Sequence, residues 1–170
     1  MLQSLRKGFE RALEYITIGL MISMATIVVV AVIYRKMGNS LVWYDEVASI
    51  LLPWLTYYGA ALAALKRSHL GFPGMVNACP SHIRVPLVIL AEAIVIGFFV
   101  LLAWTGWVVL EILDQTYLVS LPEVSAQITQ SVIPIGAVLF IIAELLSLPQ
   151  LIREAREDIR TEQEPEGTRP

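Results

Sequence analysis

The sequence predicts an all-α integral membrane protein with four transmembrane helices and both termini in the cytoplasm. Three observations carry this. Of the 170 residues, 56% are hydrophobic and 16% charged, and the mean hydropathy is +0.68, more apolar surface than one soluble domain of this length can bury. The apolar residues gather into four runs, each near the roughly 20 residues a helix needs to cross about 30 Å of hydrocarbon. The Lys and Arg residues fall almost wholly on one side of those runs.

The first span covers about Leu13 to Tyr34. Arg6, Lys7 and Arg11 precede it like the front of a signal peptide, but the apolar run is long and no small-residue cleavage site follows, so it reads as an uncleaved anchor. Leu2, Leu5, Phe9 and Leu13 recur at helical spacing, which predicts an amphipathic helix lying on the membrane surface ahead of the span.

The second span, about Val42 to Leu65, is the most patterned and reads as the packing hub. Asp45 and Glu46 open it beside Trp43, and Pro53 interrupts it. Pro53 has no amide hydrogen, which frees the Ser49 carbonyl and predicts a kink. Gly59 and Ala63, then Ala60 and Ala64, repeat at four residues and form a smooth face. Such a face lets another backbone approach closely, or else lines a substrate path.

The third and fourth spans cover about 85–110 and 129–148. Between spans two and three, Phe72, Met75 and Val76 predict a short interfacial turn on the inner face. The outer loop, Glu111 to Gln127, holds Glu111, Asp114 and Glu123 but no Lys or Arg. Pro122 breaks any continuation of the third helix, and the loop is the natural docking place for a soluble partner. Residues 1–152 thus form one membrane domain. Residues 153–170 form a charged cytoplasmic tail with a disordered end.

Lys and Arg set the orientation. Arg6, Lys7, Arg11, Lys66, Arg67, Arg84, Arg153, Arg156, Arg160 and Arg169 lie on one side; only Arg35 and Lys36 lie on the other. The basic side is the cytoplasm. Trp43, Tyr44, Trp104, Trp107 and Tyr117 then fall at the outer interface, as amphipathic rings should.

Candidate chemistry is sparse. The lone Cys79 offers neither a disulfide nor a metal set, and His69 and His82 lie in the inner loop, away from any haem position. Phosphate-loop, nucleophile–base and nucleic-acid signatures are missing from the sequence, so it predicts neither an enzyme nor a nucleic-acid binder. Asp45 and Glu46 suit the positive N-terminal end of their helix. Glu92 and Glu144 lie deeper, at about 6 to 11 Å inside the inner end of their spans by helical rise. An intramembrane carboxylate marks a functional contact unless it reaches the interface or a neighbouring helix. These two are candidate inter-subunit contacts, with Glu144 preferred.

Trp43, Asp45 and Glu46, then Trp54, then Gly59–Ala60–Ala61, then a basic pair and His69, within one span of a four-span chain, resemble the signature of the small membrane subunit of tripartite ATP-independent periplasmic (TRAP) transporters. Lys66 and Arg67 precede His69 at an altered spacing, and HLGFPGMV stands where a more polar sequence is expected. The resemblance implies a multi-pass subunit of the bacterial inner membrane. It also implies membrane lipids around it and two protein partners. One is a large membrane subunit that holds the substrate and sodium sites and moves as an elevator. The other is a periplasmic binding protein that delivers organic acids, typically carboxylates. The small subunit would brace the large one and share in docking, with no cofactor of its own and sodium in its partner. Two other classes have about this number of spans, the first of them in shorter chains. A small drug–proton exporter would carry a glutamate in its first span, and Tyr15 to Tyr34 contains none. A respiratory membrane anchor would carry histidines within its spans.

Overall fold

The computed structural model describes residues 2–66 and 81–163, with side chains placed for 6–66 and 85–149. The helices are α1 (Leu2–Lys36), α2 (Tyr44–Leu65), α3 (Ser81–Ile112), α4 (Ala126–Gln130) and α5 (Val132–Gln163). Four stretches are long and apolar enough to cross a membrane: Arg6–Lys36, Tyr44–Leu65, Val85–Ile112 and Ala126–Pro149. The four predicted spans are therefore present. His69, Cys79 and the inner-loop turn around Phe72, Met75 and Val76 lie outside the described residues, as do the side chain of His82 and the last residues of the tail.

The residues expected to form a separate surface helix are instead the first turns of α1, which runs unbroken for 35 residues, or about 50 Å at the usual rise. Gly8 is the one weak helix former there, and nothing crowds it. At its far end α1 stops on a glycine cap. Gly38 takes φ +83, its N–H donates to the Arg35 carbonyl, and the Asn39 N–H donates to that of Tyr34, the paired bonds by which a left-handed glycine closes a helix.

α2 continues through Pro53 as one helix. The fourth predicted span is divided. Ser125 caps α4 by accepting from the Gln127 N–H at 3.2 Å, and the chain turns at Ser131 before α5 begins. Pro134 explains the break, because it cannot donate to the carbonyl four residues earlier. α3 ends at Ile112 in a turn closed by Thr116 N–H to Leu113 O, well before Pro122, so that proline shapes the outer loop and does not end the helix.

Across the molecule the helices stand in a row: α1 against α2, α2 against α5, α5 against α3. α2 and α5 run parallel, since Tyr57 meets Gly136 near one end and Leu65 meets Ser147 near the other. α3 runs antiparallel to α5, with Gly106 beside Pro134 and Phe99 stacked on Phe140 at 3.7 Å. Consequently the start of α1, the end of α2 and the later part of α5 share one end of the molecule.

The hub is α5, not α2. In the most apolar stretch of the fourth span 39% of residues are buried, against 11% in the second and none in the third. Val132, Ala137, Phe140, Ala143 and Ser147 fill its two packed sides, and Leu13, Ala61, Ala64 and Leu65 complete the core at the basic end. A small residue every few positions on α5 lets helices close in from both sides, which is how helices associate when lipid is as apolar as the side chains.

Candidate functional site

At the end expected to face outward a closed hairpin follows α3. Leu118 N–H donates to Val124 O at 3.1 Å, Val124 N–H to Leu121 O at 2.9 Å, and Ala126 N–H to Thr116 O at 2.8 Å. Tyr117 and Ser125 pair in an antiparallel bridge. At its tip Val119 is 94% exposed, with Tyr117 exposed beside it.

Glu46 fixes this hairpin to α2. Its Oε1 accepts from the Val119 N–H at 3.0 Å and its Oε2 from the Ser120 N–H at 2.7 Å. Glu46 stands in the first turn of α2, where a carboxylate suits the helix dipole, and it also satisfies two amides of the hairpin; α2 has no side-chain cap. Asp45 is exposed beside it. Trp54 makes a second link, donating its indole N–H to the Thr129 carbonyl at 3.3 Å.

Glu111, Asp114 and Glu123 are all exposed around the hairpin. Glu111 accepts from the Trp107 indole at 3.2 Å. Asp114 accepts from the Gln127 amide at 3.1 Å, and the same amide donates to Leu110 O at 2.9 Å. These bonds join the ends of α3 and α4, beside an open recess lined by Trp107, Leu110, Glu111, Gln127, Ile128 and Ser131. The acidic surface at this end is therefore a built feature.

At the opposite end α1 clasps α2. The Arg6 guanidinium donates to the Leu65 carbonyl at 2.8 Å, placing a cation at the negative end of a helix. Lys66 pairs with Glu14 through a hydrogen bond and with Glu10 at 3.9 Å. The bond from Glu14, against a smaller opposing effect of desolvation, holds the Lys66 ammonium above its usual range. Sequence reasoning overlooked Glu10, Glu14 and Gly136, because their partners lie far away in the chain.

On the proposed packing face of α2, Ala64 is buried, Ala60 packs against the core and Ala63 is half-buried, while the fully buried Ala61 lies outside the residues proposed. Gly59 is different. A methyl group added there meets nothing within 4 Å among the described residues, so no described element closes over the Gly59 side of α2. Close approach occurs at Gly136, where an added Cβ would lie 2.6 Å from Tyr57 Cβ, and at Gly106, where it would lie 3.0 Å from Ile133 and Pro134.

The two inner carboxylates differ. Glu92 lies on the stripe of α3 that faces α5, and its Oε2 is buried with no hydrogen-bond partner among the described residues. Glu144 is half-buried and makes an interaction of its own. By the antiparallel register of Phe99 with Phe140, Glu92 is level with Ser147, under one turn from Glu144. Among the described residues no group of three or more His, Cys, Asp or Glu could hold a metal ion.

A comparison with curated proteins finds no match. A family model does match residues 24–154 of the 170, well over half of the chain. It is described as tripartite ATP-independent periplasmic transporters, DctQ component. The match runs from the middle of α1 into α5 and so takes in the helical row, the acidic hairpin and its Glu46 anchor. The chain belongs to this family and is the small membrane subunit of a TRAP transporter.

Proposed function

We propose that this subunit works in the bacterial inner membrane as a brace for the large membrane subunit and as part of the docking platform for the periplasmic binding protein, during ion-gradient-driven import of organic acids. The coupling ion, sodium in this reading, is bound by the large subunit. The observation that carries the docking role is the acidic, closed hairpin pinned across 73 residues of sequence by Glu46. A surface already ordered before contact spends less of its interaction energy on ordering.

The bracing role draws on the row of helices. α1 and α3 flank it with long uncovered apolar sides, among them Ile18, Ile22 and Val29 on α1 and Leu90, Ile94 and Phe98 on α3, and α2 keeps the Gly59 side open. Glu92 supports the same reading. Burying a carboxylate at membrane depth costs about 3 kcal/mol on insertion scales, and a polar group of the large subunit against the accessible part of the half-buried Glu92 side chain would offset that cost.

The test is reconstitution. Liposomes holding this chain alone, supplied with binding protein, organic acids and a sodium gradient, are expected to show no uptake above empty vesicles. Adding the large subunit should restore uptake. Robust transport by the lone chain would overturn the bracing role.

A further inference from the structure

The hairpin closes on its own backbone bonds, so Glu46 is not needed for its internal shape. What Glu46 determines is where the hairpin stands on α2. Both carboxylate oxygens are used, one on each of two successive amides, and the donors lie at the tip itself, Val119 and Ser120. Bonds to an ionised acceptor are roughly twice as strong as neutral ones. An amide pair gripped in this way holds the tip in position as well as in orientation.

That grip has a consequence for the side chains. With their amides turned toward α2, the tip residues point elsewhere: Val119 is 94% exposed and Tyr117 57%. An exposed apolar tip on a loop that carries Glu111, Asp114 and Glu123 and no Lys or Arg fits a partner surface with a shallow apolar dent flanked by basic residues. We propose that Glu46 is a positioning residue for docking of the periplasmic binding protein: it presents Val119 and Tyr117 as the apolar anchor of the docking surface. The inference rests on the docking role proposed above.

The experiment uses the complete three-component system in liposomes, with uptake measured against the concentration of binding protein and the yield of assembled complex measured in parallel. Glu46→Gln weakens the grip, and Ser120→Pro removes one donor while keeping Glu46. Val119→Asp leaves both amides in place but destroys the anchor. The expected result for Glu46→Gln is a rise of about tenfold in the half-saturating binding-protein concentration, with the maximal rate within about a factor of two, the size of one charge-assisted bond. Ser120→Pro should reproduce the rise, and the double variant should be no worse than the weaker single one. Val119→Asp should raise the same concentration at least as much.

If Val119→Asp weakens docking and Glu46→Gln does not, the positioning role is wrong and the docking surface stands. If neither variant shifts the half-saturating concentration, the docking reading fails, and the positioning role with it. If Glu46→Gln lowers only complex yield or maximal rate, Glu46 is merely structural and the proposal is overturned. The same holds if Glu46→Gln raises the concentration while Val119→Asp leaves it unchanged, since the tip is then not the anchor.

Discussion

At the scale of single residues, glycines separate contacts within the chain from those it leaves open. A Cβ at position 136 would lie 2.6 Å from Tyr57 Cβ, an atom next to the backbone that cannot swing away, so α2 and α5 would have to part. Gly136→Ala is expected to destabilise the purified chain by about 1 to 3 kcal/mol, the usual range for overpacking, read as a lower melting temperature in detergent. Gly59→Ala meets nothing within 4 Å and should stay within about 0.5 kcal/mol of the parent. Gly59→Leu should leave the lone chain's melting unchanged but lower recovery of the large subunit in a pull-down; unchanged recovery would mean that this side faces lipid. Glu92→Gln removes a charge whose buried oxygen has no hydrogen-bond partner among the described residues. The isolated chain should melt no lower than the parent, while the assembled complex loses stability if a group of the large subunit normally meets the accessible part of this half-buried side chain. At Lys66 the sign follows from the raised folded value. The stabilisation from Glu14 is fully present below the ordinary lysine value of 10.5 and is lost as the pH climbs through the higher folded value. The melting difference between parent and Glu14→Gln should hold steady across neutral pH and vanish only in strong alkali.

At the scale of elements, α5 decides cohesion because, of the two central helices of the row, it buries the larger share of its apolar stretch. Phe140 is buried and stacks on Phe99 with ring planes 10° apart, joining α3 to the row, and Gly106 beside Pro134 joins it again nearer the outer end. Phe99→Ala, Phe140→Ala and the double variant form a cycle whose coupling should be about 0.5 to 1.5 kcal/mol, the usual surplus of an aromatic pair over simple burial. Additive losses in thermal or denaturant unfolding would show that the stack adds nothing beyond area. The short α4 sets the angle at which the chain enters α5, and it is fastened by Trp54 from α2 and Gln127 to the end of α3. The outer surface therefore inherits its shape from three helices together.

At the scale of the whole molecule, the row with α2 and α5 parallel at its centre puts the start of α1, the end of α2 and the later part of α5 at one end. The basic residues predict that this end faces the cytoplasm. A chain with Cys79 replaced and a single cysteine introduced at Glu123 should react with a membrane-impermeant maleimide in cells with a permeabilised outer membrane. A cysteine at Arg160 should react only after the inner membrane is opened. The reverse pattern would invert the topology. A row, unlike a closed bundle, leaves flanks that only lipid or another protein can cover, which suits a subunit of a larger assembly.

How much of this was legible in the sequence follows from the range of the forces. Number, length and type of the helices follow from local quantities: apolar runs matched to the bilayer, backbone groups that must be satisfied within each span, and charge next to its ends. Trp43, Asp45, Glu46, Trp54 and Gly59 could likewise be picked out, because their order within one span is itself a local pattern. Which helix lies at the centre could not. The spans differ in apolarity, the second being the least apolar, yet hydropathy does not pick out the centre, since the fourth is intermediate, and the glycines that matter, Gly106 and Gly136, differ from Gly59 only in what stands opposite. Glu46 in the sequence looks like any acidic residue at a helix start. Only the tertiary structure, by bringing Val119 and Ser120 within hydrogen-bond reach of its carboxylate, decides that it holds the outer hairpin.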